Sequence, residues 1–213
     1  MLPRRSWFIF LLLGGLLIRG ALPFEAVDAS ETVLYRDGDL IFQSSYSDQS
    51  RAIEKATRSP FSHMGVVFLD QDKPMVWEAV GPVRFVSLAD FVRHGRQNRF
   101  AVRRLKDAAR VLTPDVTDRM KNQAAKWLGR PYDWYFEWTD DRLYCSEYAW
   151  KIYERGAGVR LGEPRKLGQF DLDDPLVKAK LRERWPEGPP LDEPMVPPSR
   201  LYDSDLLETV KEW

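Results

Sequence analysis

The chain has 213 residues, with 32 basic and 32 acidic side chains, 13% aromatic residues and one cysteine, Cys145. The balanced charge argues against nucleic acid as a partner, because phosphate binding needs a basic excess or a clear basic patch. A single cysteine excludes an internal disulfide framework, so the composition indicates an ordinary globular protein with one free thiol.

Residues 1–29 are predicted to be a signal peptide. Two arginines precede an uninterrupted apolar run of 12 residues, Trp7 to Ile18, which is shorter than the ~20 residues needed to cross a bilayer. The triplet Val27-Asp28-Ala29 places cleavage after its last residue, and no cysteine follows the apolar run to carry a lipid anchor. An uncleaved membrane anchor is the alternative. The sequence favours a periplasmic or secreted protein, with residues 30–213 forming a single domain.

The patterning after this segment predicts an α+β domain, with strands and helices in mixed order. Strands are predicted at 39–43, 63–70, 74–80, 83–88 and 99–105. Helices are predicted at 48–57, from Ser87 to Arg93, from Thr113-Pro114 to Leu128, and from Cys145 to Gly156. Residues 160–200 carry eight of the fifteen prolines. Large apolar residues are interspersed there, so this segment is predicted to be an extended strap packed on the domain.

The lone thiol lies in the stretch LYCSEYAWKIYERGAG, residues 143–158, at the predicted start of a helix. Unpaired N–H groups and the positive end of the helix dipole favour the thiolate at such a position. This indicates a reactive cysteine. A buried core position is the alternative, since free cysteine is among the most buried residue types.

A cysteine hydrolase also needs a base, and this chain has two histidines. His63 stands at the head of an apolar strand, where its ring either faces a cleft as a base or is simply satisfied at the strand end. His94 ends a short helix and is interpreted as structural. Glu78 lies on the next strand and would reach His63 if the two strands pair as a hairpin. The alternative for Glu78 is a solvent-facing carboxylate.

Six motifs in order resemble those of one family of hydrolases. They are GDLIFQ at 38–43, QSRAIEKAT at 49–57, SPFSHMGVVF at 59–68, WEAVGPV at 77–83, GRPYDWYF at 129–136 and LYCSEYAWKIY at 143–153. The chain resembles circularly permuted NlpC-type papain-like hydrolases, specifically the YiiX/YebB-like branch related to lecithin:retinol acyltransferase. The resemblance implies a permuted papain-like α+β fold, in which an antiparallel sheet packs against helices including the cysteine-bearing helix.

The resemblance also implies roles for individual residues. Cys145 would be the nucleophile, His63 the base and Glu78 the acid that orients the imidazole. Tyr132 would line the substrate cleft, although an aromatic core position is the alternative. Ser146 and Glu147 match the Cys-Ser-Glu pattern of the branch and are assigned only a local role in the first turn of the helix.

The expected activity is cleavage of an amide, such as a cell-wall peptide, or of an ester, through a thioester acyl-enzyme. A lipid acyl hydrolase or acyltransferase of the same fold is the first alternative; a redox thiol protein and a binding module without turnover are others. Aromatic residues at 132–138 either line an acyl groove or pack the fold, and packing is the favoured interpretation. No cofactor or metal is expected, because the sequence has no HExxH motif, cysteine pair or glycine-rich phosphate loop. The membrane is expected as a partner only through an uncleaved signal segment.

Overall fold

The structure is a computed structural model that describes residues 34–213. The predicted signal peptide and its cleavage site lie outside the described residues. Between residues 34 and 213, no helix combines the length and the apolar character needed to cross a membrane.

Six strands form one antiparallel sheet, and two short strands form a separate ribbon. The strands are β1 (Leu40–Gln43), β2 (His63–Asp70), β3 (Lys73–Ala79), β4 (Val83–Ser87), β5 (Ala101–Leu105), β6 (Arg165–Lys166), β7 (Pro194–Met195) and β8 (Leu207–Lys211). The large sheet has the order β4-β3-β2-β1-β5-β8, and β6 pairs with β7 in the ribbon. The consecutive strands β2, β3 and β4 are therefore neighbours, as the predicted meander requires.

Seven α-helices are described between residues 34 and 213. They are α1 (Asp48–Thr57), α2 (Leu88–His94), α3 (Ala108–Val111), α4 (Pro114–Ala125), α5 (Cys145–Ile152), α6 (Pro175–Arg184) and α7 (Pro198–Tyr202). A π-helical turn, Tyr153–Ala157, continues α5, and single 3₁₀ turns occur at Arg96–Asn98 and Leu167–Gln169.

Both faces of the sheet are buried, because side chains alternate between them along each strand. On one face, Leu40 and Phe42 of β1 belong to a cluster that includes Ala149 and Ile152 of α5. On the other face, Ile41 packs in a smaller cluster completed by α2. The fold is thus an α+β arrangement of an antiparallel sheet against helices, and it sets α5 against the strands that carry His63 and Glu78.

Local sequence signals explain where several of the helices begin. The side chain of Ser87 accepts a hydrogen bond from the backbone N–H of Asp90 at 3.1 Å, which confirms the predicted capping pair at the start of α2. Helix α1 has the predicted bounds, Asp48–Thr57. Thr113 is the N-cap residue of α4, but its side chain makes no capping hydrogen bond.

The structure differs from the sequence predictions in several places: α7 and the edge strand β8 were not predicted, and α5 gives way to a π-helical turn after Ile152. Helix α4 ends at Ala125 rather than Leu128, because the backbone N–H groups of residues 127 and 128 bond three residues back instead of four. The proline-rich segment 160–200 is packed on the domain, with Leu167 and Val177 buried, but it is not extended throughout. It contains the ten-residue helix α6.

Candidate active site

Strand pairing brings His63 and Glu78 together. In the antiparallel β2–β3 pair, Val66 lies opposite Trp77, so His63 and Glu78 are near neighbours on one face of the hairpin. Nε2 of His63 lies 2.7 Å from Oε2 of Glu78. Only glycine fits at position 65, because a Cβ atom there would be 2.5 Å from Cγ1 of Val76 and 2.8 Å from the carbonyl oxygen of Trp77. This close approach of the strands lets the carboxylate reach the imidazole.

Glu78 is a buried carboxylate with both oxygens occupied. Its side chain is 4% exposed, which contradicts the solvent-facing alternative. Nε of Arg84 donates to Oε1 of Glu78 at 3.0 Å, from the residue directly opposite on β4. Burial raises the pKa of Glu78, but the hydrogen bonds and charges of His63 and Arg84 lower it by more. The pKa of Glu78 therefore lies below its ordinary value. Glu78 is therefore an ionised partner for the imidazole at neutral pH.

His63 also lies beside Cys145, which acts on the pKa of the imidazole. Since Nε2 faces Glu78, Nδ1 is left for the sulfur. Burial lowers the pKa of His63, but the interactions with Cys145 and Glu78 outweigh burial and raise it to about 10. The ring also stacks on Phe91 of α2, with centroids 5.5 Å apart and planes inclined by 25°. These contacts hold the ring in one orientation and stabilise the protonated imidazole.

Cys145 is the first residue of α5, as the sequence predicts, and its side chain is 3% exposed. The N–H groups of the first helical turn lack intrahelical partners and point out of the helix. Such groups can stabilise negative charge that develops on a carbonyl oxygen beside the sulfur. Burial alone would fit a core cysteine, but contact with the imidazole at the mouth of a cavity does not.

An apolar cavity leads to the sulfur. It lies between α1, α5, α6 and the segment after β7. Its lining residues include Ala52, Ile53, Tyr132, Phe136, Tyr144, Cys145, Ser146, Phe170, Val177, Leu181, Arg184 and Met195. A mostly apolar concavity beside a nucleophile and a few polar groups is typical of a substrate site.

Tyr132 lines this cavity beside Cys145, as the resemblance implied. A β-bridge to Leu143 holds its backbone next to the start of α5. Burial and the neighbouring charge of Cys145 raise the pKa of Tyr132 well above its ordinary value. Its hydroxyl is therefore a neutral hydrogen-bond donor at physiological pH.

The aromatic residues at 132–138 have mixed roles. Phe136 packs edge-on against Tyr144 and also lines the cavity. Trp138 packs against Trp150. Trp134 and Tyr135 are exposed, so core packing, the favoured interpretation, applies to only part of this segment.

Glu147 has the local role that the sequence predicted. Its Oε2 accepts a hydrogen bond from the backbone N–H of Tyr144 at 3.3 Å, which stabilises the first turn of α5. Its Oε1 accepts from Nζ of Lys151 at 2.6 Å. Burial raises the pKa of Glu147 to about 8, although Lys151 opposes this rise. Ser146 is buried, and its hydroxyl has no hydrogen-bond partner within residues 34–213.

Three side chains near the site were missed by the sequence interpretation. Arg84 could have been found, because Glu78 and Arg84 are symmetric about a Gly-Pro turn and therefore face each other in a hairpin. Lys151 stands four residues after Glu147, which is the spacing of a helical ion pair. Arg184 carried no comparable local signal. His94, by contrast, is exposed at the end of α2, as expected of a structural histidine.

The fold and site together define a permuted papain-like thiol hydrolase. Residues 34–211 match the family described as permuted papain-like amidase enzymes, YaeF/YiiX, C92. The chain belongs to this family.

Two relatives are similar over most of their length. The chain is 44% identical over 177 residues to the uncharacterized protein YiiX of Escherichia coli (strain K12), which covers 83% of this chain and 86% of that protein. A crystal structure described as metalloprotein YiiX from Escherichia coli O157:H7 has a TM-score of 0.81 and 43% identity. That match covers 84% of this chain and 98% of the other.

The description of that relative as a metalloprotein prompts the question of a metal site. No group of three or more His, Cys, Asp and Glu side chains converges within residues 34–213 in a way that could hold a metal ion. The residues that the structure describes therefore do not offer the ligand set that a bound metal ion needs.

Proposed function

We propose that this protein is an exported cysteine hydrolase that cleaves an amide or ester bond through a thioester acyl-enzyme. The observation that carries the proposal is the grouping of Cys145, His63 and Glu78, in which the imidazole lies beside the thiol and is hydrogen-bonded to the carboxylate, with Cys145 lining an apolar cavity. Membership of a permuted papain-like amidase family supports the same chemistry.

In the first half-reaction, the Cys145 thiolate attacks the substrate carbonyl and forms a carbon–sulfur bond. The carbonyl oxygen takes the negative charge, which the N–H groups at the start of α5 and the Tyr132 hydroxyl stabilise. The intermediate then collapses, the bond to nitrogen or oxygen breaks, and protonated His63 donates its proton to the departing amine or alcohol.

In the second half-reaction, neutral His63 removes a proton from water, which attacks the thioester carbonyl. The carbon–sulfur bond breaks, the acid product leaves, and the thiolate–imidazolium pair is restored. Glu78 holds the imidazole in the orientation that both steps need and stabilises its charged form. Glu78 does not itself exchange a proton.

The cavity favours an apolar acyl group on the substrate. Most of its lining side chains are aliphatic or aromatic, and burying such surface is the main source of affinity for apolar ligands. This observation supports the second candidate function, hydrolysis or transfer of a lipid acyl chain. A short peptide amide remains the first candidate because of the family description.

A substrate panel with mass analysis tests the proposed function. Purified protein is incubated with matched chromogenic amides and esters whose acyl groups range from acetyl to dodecanoyl, and from single amino acids to short peptides. We expect turnover and an acyl adduct on Cys145, both lost in Cys145→Ser. Turnover that persists in Cys145→Ser would contradict the proposal, as would a folded wild type that hydrolyses no member of the panel and forms no adduct.

Export is tested separately. We expect the protein to be recovered outside the inner membrane with an intact mass that corresponds to a start at Ser30. Retention of residues 1–29 in the membrane fraction would favour the anchor instead and would leave the hydrolase proposal untouched.

A further inference from the structure

The charge of the cavity is one-sided. Two basic residues, Lys180 and Arg184, line the cavity. No Asp or Glu is among its lining residues. Both lie on α6, which belongs to the proline-rich segment and forms one wall of the cavity. An apolar cavity with basic groups and no acid attracts a ligand that combines an apolar body with negative charge.

Arg184 differs from Lys180 in forming no salt bridge among the described residues, although the charges of Glu183 and Asp133 act on it. Nζ of Lys180 lies 2.6 Å from Oε2 of Glu183, which neutralises it. Arg184 makes no salt bridge within residues 34–213. Its Nη2 donates to Oε1 of Gln49 at 2.7 Å, and its remaining N–H groups have no hydrogen-bond partner among the described residues.

The Arg184 guanidinium is held in place without a salt bridge among the described residues. It lies 4.4 Å from the ring centroid of Phe136 and 5.4 Å from that of Trp185, and Gln49 fixes one of its edges. Burial lowers the pKa of Arg184, which reflects the cost of keeping a cation half-desolvated. A rigid, partly desolvated guanidinium with free donors is suited to bind a planar carboxylate or a phosphate through two parallel hydrogen bonds.

Tyr132 links this guanidinium to the reacting sulfur. The charges of both Arg184 and Cys145 act on the Tyr132 hydroxyl, and all three residues line one cavity. A ligand held by Arg184 would therefore extend past Tyr132 towards Cys145.

We propose that Arg184 is a specificity-determining residue that binds a negatively charged group, a carboxylate or a phosphate, on the acyl side of the substrate. This inference rests on the proposed function, because it takes the cavity beside Cys145 as the substrate site. It narrows the substrate class to anionic amides or esters with an apolar segment between the anion and the scissile bond.

The test measures binding rather than turnover. Affinities are determined by calorimetry in the Cys145→Ser protein for adipic acid mono-N-methylamide, whose carboxylate lies on the acyl side and is separated from the amide by methylene groups, and for its uncharged counterpart, N-methyladipamide. Hexyl phosphate and hexanol form a second pair, so the two pairs distinguish a carboxylate from a phosphate. We expect the anionic member of at least one pair to bind at least about tenfold more tightly than its neutral partner, because charge-assisted hydrogen bonds are stronger than neutral ones.

Two variants make the assignment specific. Arg184→Met keeps an apolar stem against Phe136 and should remove the preference for the anion while leaving affinity for the neutral ligand unchanged. Arg182→Met, an exposed arginine on the same helix, should keep the preference. Thermal unfolding of each variant checks the fold, and Arg184→Lys, which keeps the charge but not the fork, should retain part of the preference.

The possible results separate this inference from the proposed function. Equal binding of anionic and neutral ligands, no binding of either, or a preference that survives Arg184→Met would overturn the role of Arg184. If the substrate panel shows turnover but binding shows no preference for the anion, the role of Arg184 is contradicted and the hydrolase proposal stands. If binding shows a preference for the anion but the panel shows no turnover, the hydrolase proposal is contradicted and the anion site stands.

Discussion

Two buried acid–base pairs flank the start of α5, and they differ in one respect. In the pair Glu147–Lys151, every group is satisfied: Nζ of Lys151 donates to Glu147, to Asp140 and to the carbonyl oxygen of Thr139. In the pair Glu78–His63, the carboxylate is saturated by the imidazole and Arg84, but the imidazole keeps one nitrogen for the thiol.

This difference separates a structural pair from a reactive one. A closed network leaves no group to meet a substrate, so its charges only hold the fold together. In the open network, the ring nitrogen of His63 that does not bond Glu78 is left for Cys145, a nucleophile beside a cavity. Burial and a shifted pKa occur in both pairs, and neither property alone identifies a functional site.

The largest expected effect is on turnover when the open pair is broken. Cys145→Ser and His63→Ala should each reduce kcat/KM by about 1000-fold or more, because the nucleophile and its base act as a unit. Cys145→Ser should melt near the wild type, whereas His63→Ala should melt lower because it leaves the buried Glu78 without the imidazole. Steady-state kinetics and thermal unfolding measure the two effects. A folded His63→Ala variant with wild-type turnover would remove His63 from the mechanism.

The closed pair should respond in the opposite way. Lys151→Met removes the donor that Glu147, Asp140 and the carbonyl oxygen of Thr139 share, and the free energy of unfolding should fall by about 1–3 kcal/mol because buried polar groups lose their partner. Chemical denaturation measures this change, and kcat/KM of the folded fraction should be nearly unchanged. Lys166→Met, which removes an exposed partner of Asp192, is the matched control and should shift stability by less than about 0.5 kcal/mol.

A double variant sharpens this result. Glu147→Gln combined with Lys151→Met replaces both partners of the pair, so part of the lost stability should return. A double variant as unstable as Lys151→Met alone would mean that packing of the lysine stem, rather than an unpaired carboxyl group, governs the effect.

The next effect concerns the orienting acid. Glu78→Gln should lower kcat/KM on the order of 100-fold, less than His63→Ala, because an amide still accepts a hydrogen bond from the imidazole but does not stabilise its charge. Glu208→Gln, at an exposed acid on β8, serves as the control. A loss as large as that of His63→Ala would mean that Glu78 is needed for more than orientation.

Much of the fold could be predicted because periodic patterns and turns determine it locally. β2 and α1 have their predicted bounds, and the hairpin of β2 and β3 follows from the short turn between them. The imidazole and the carboxylate could be paired from the predicted hairpin, but placing the thiol beside them relied on the resemblance. Neither residue spacing nor composition determines that α5 packs against β2.

The rest depended on competing signals or on tertiary contacts. The many prolines of 160–200 favoured an extended chain, but Asp174-Pro175 also begins a helix, since Oδ1 of Asp174 accepts from the backbone N–H of Leu176 at 2.8 Å and proline fits the first turn. The location of Arg184 beside the cavity follows from how α6 docks on α1. That docking has no signature in the local sequence.

A smaller effect is expected on the reactivity of the thiol with pH. The pKa of His63 is raised from 6.5 to about 10. The protonated imidazole therefore stabilises the folded protein fully below pH 6.5, and this stabilisation is lost as pH rises through about 10. At pH 6 the imidazolium lies beside the sulfur and attracts the negative charge that the sulfur donates when it attacks an electrophile. His63→Ala should therefore slow alkylation of Cys145 by iodoacetamide at pH 6 by about tenfold or more.

The other histidine provides the control for this measurement. His94→Ala should leave the alkylation rate unchanged from pH 4 to 9, because His94 is exposed at the end of α2. If the wild type reacts no faster at pH 6 than His63→Ala, then Cys145 and His63 do not form a charged pair.

The smallest effect is expected at Arg84, the residue that occupies the second oxygen of Glu78. Its side chain is 42% exposed, so solvent screens its charge, and pairs of this kind contribute no more than about 1 kcal/mol. Arg84→Gln should therefore reduce kcat/KM by at most about fivefold, since 1 kcal/mol corresponds to roughly that factor. It should also shift the acid limb of the pH–rate profile upwards, because Glu78 loses a charge that lowers its pKa. Arg93→Gln, which breaks an exposed pair with Asp90, should move neither quantity. A loss at Arg84 equal to that of Glu78→Gln would show that the carboxylate depends on the arginine, and the open pair would then be a triad of charges extending to the surface.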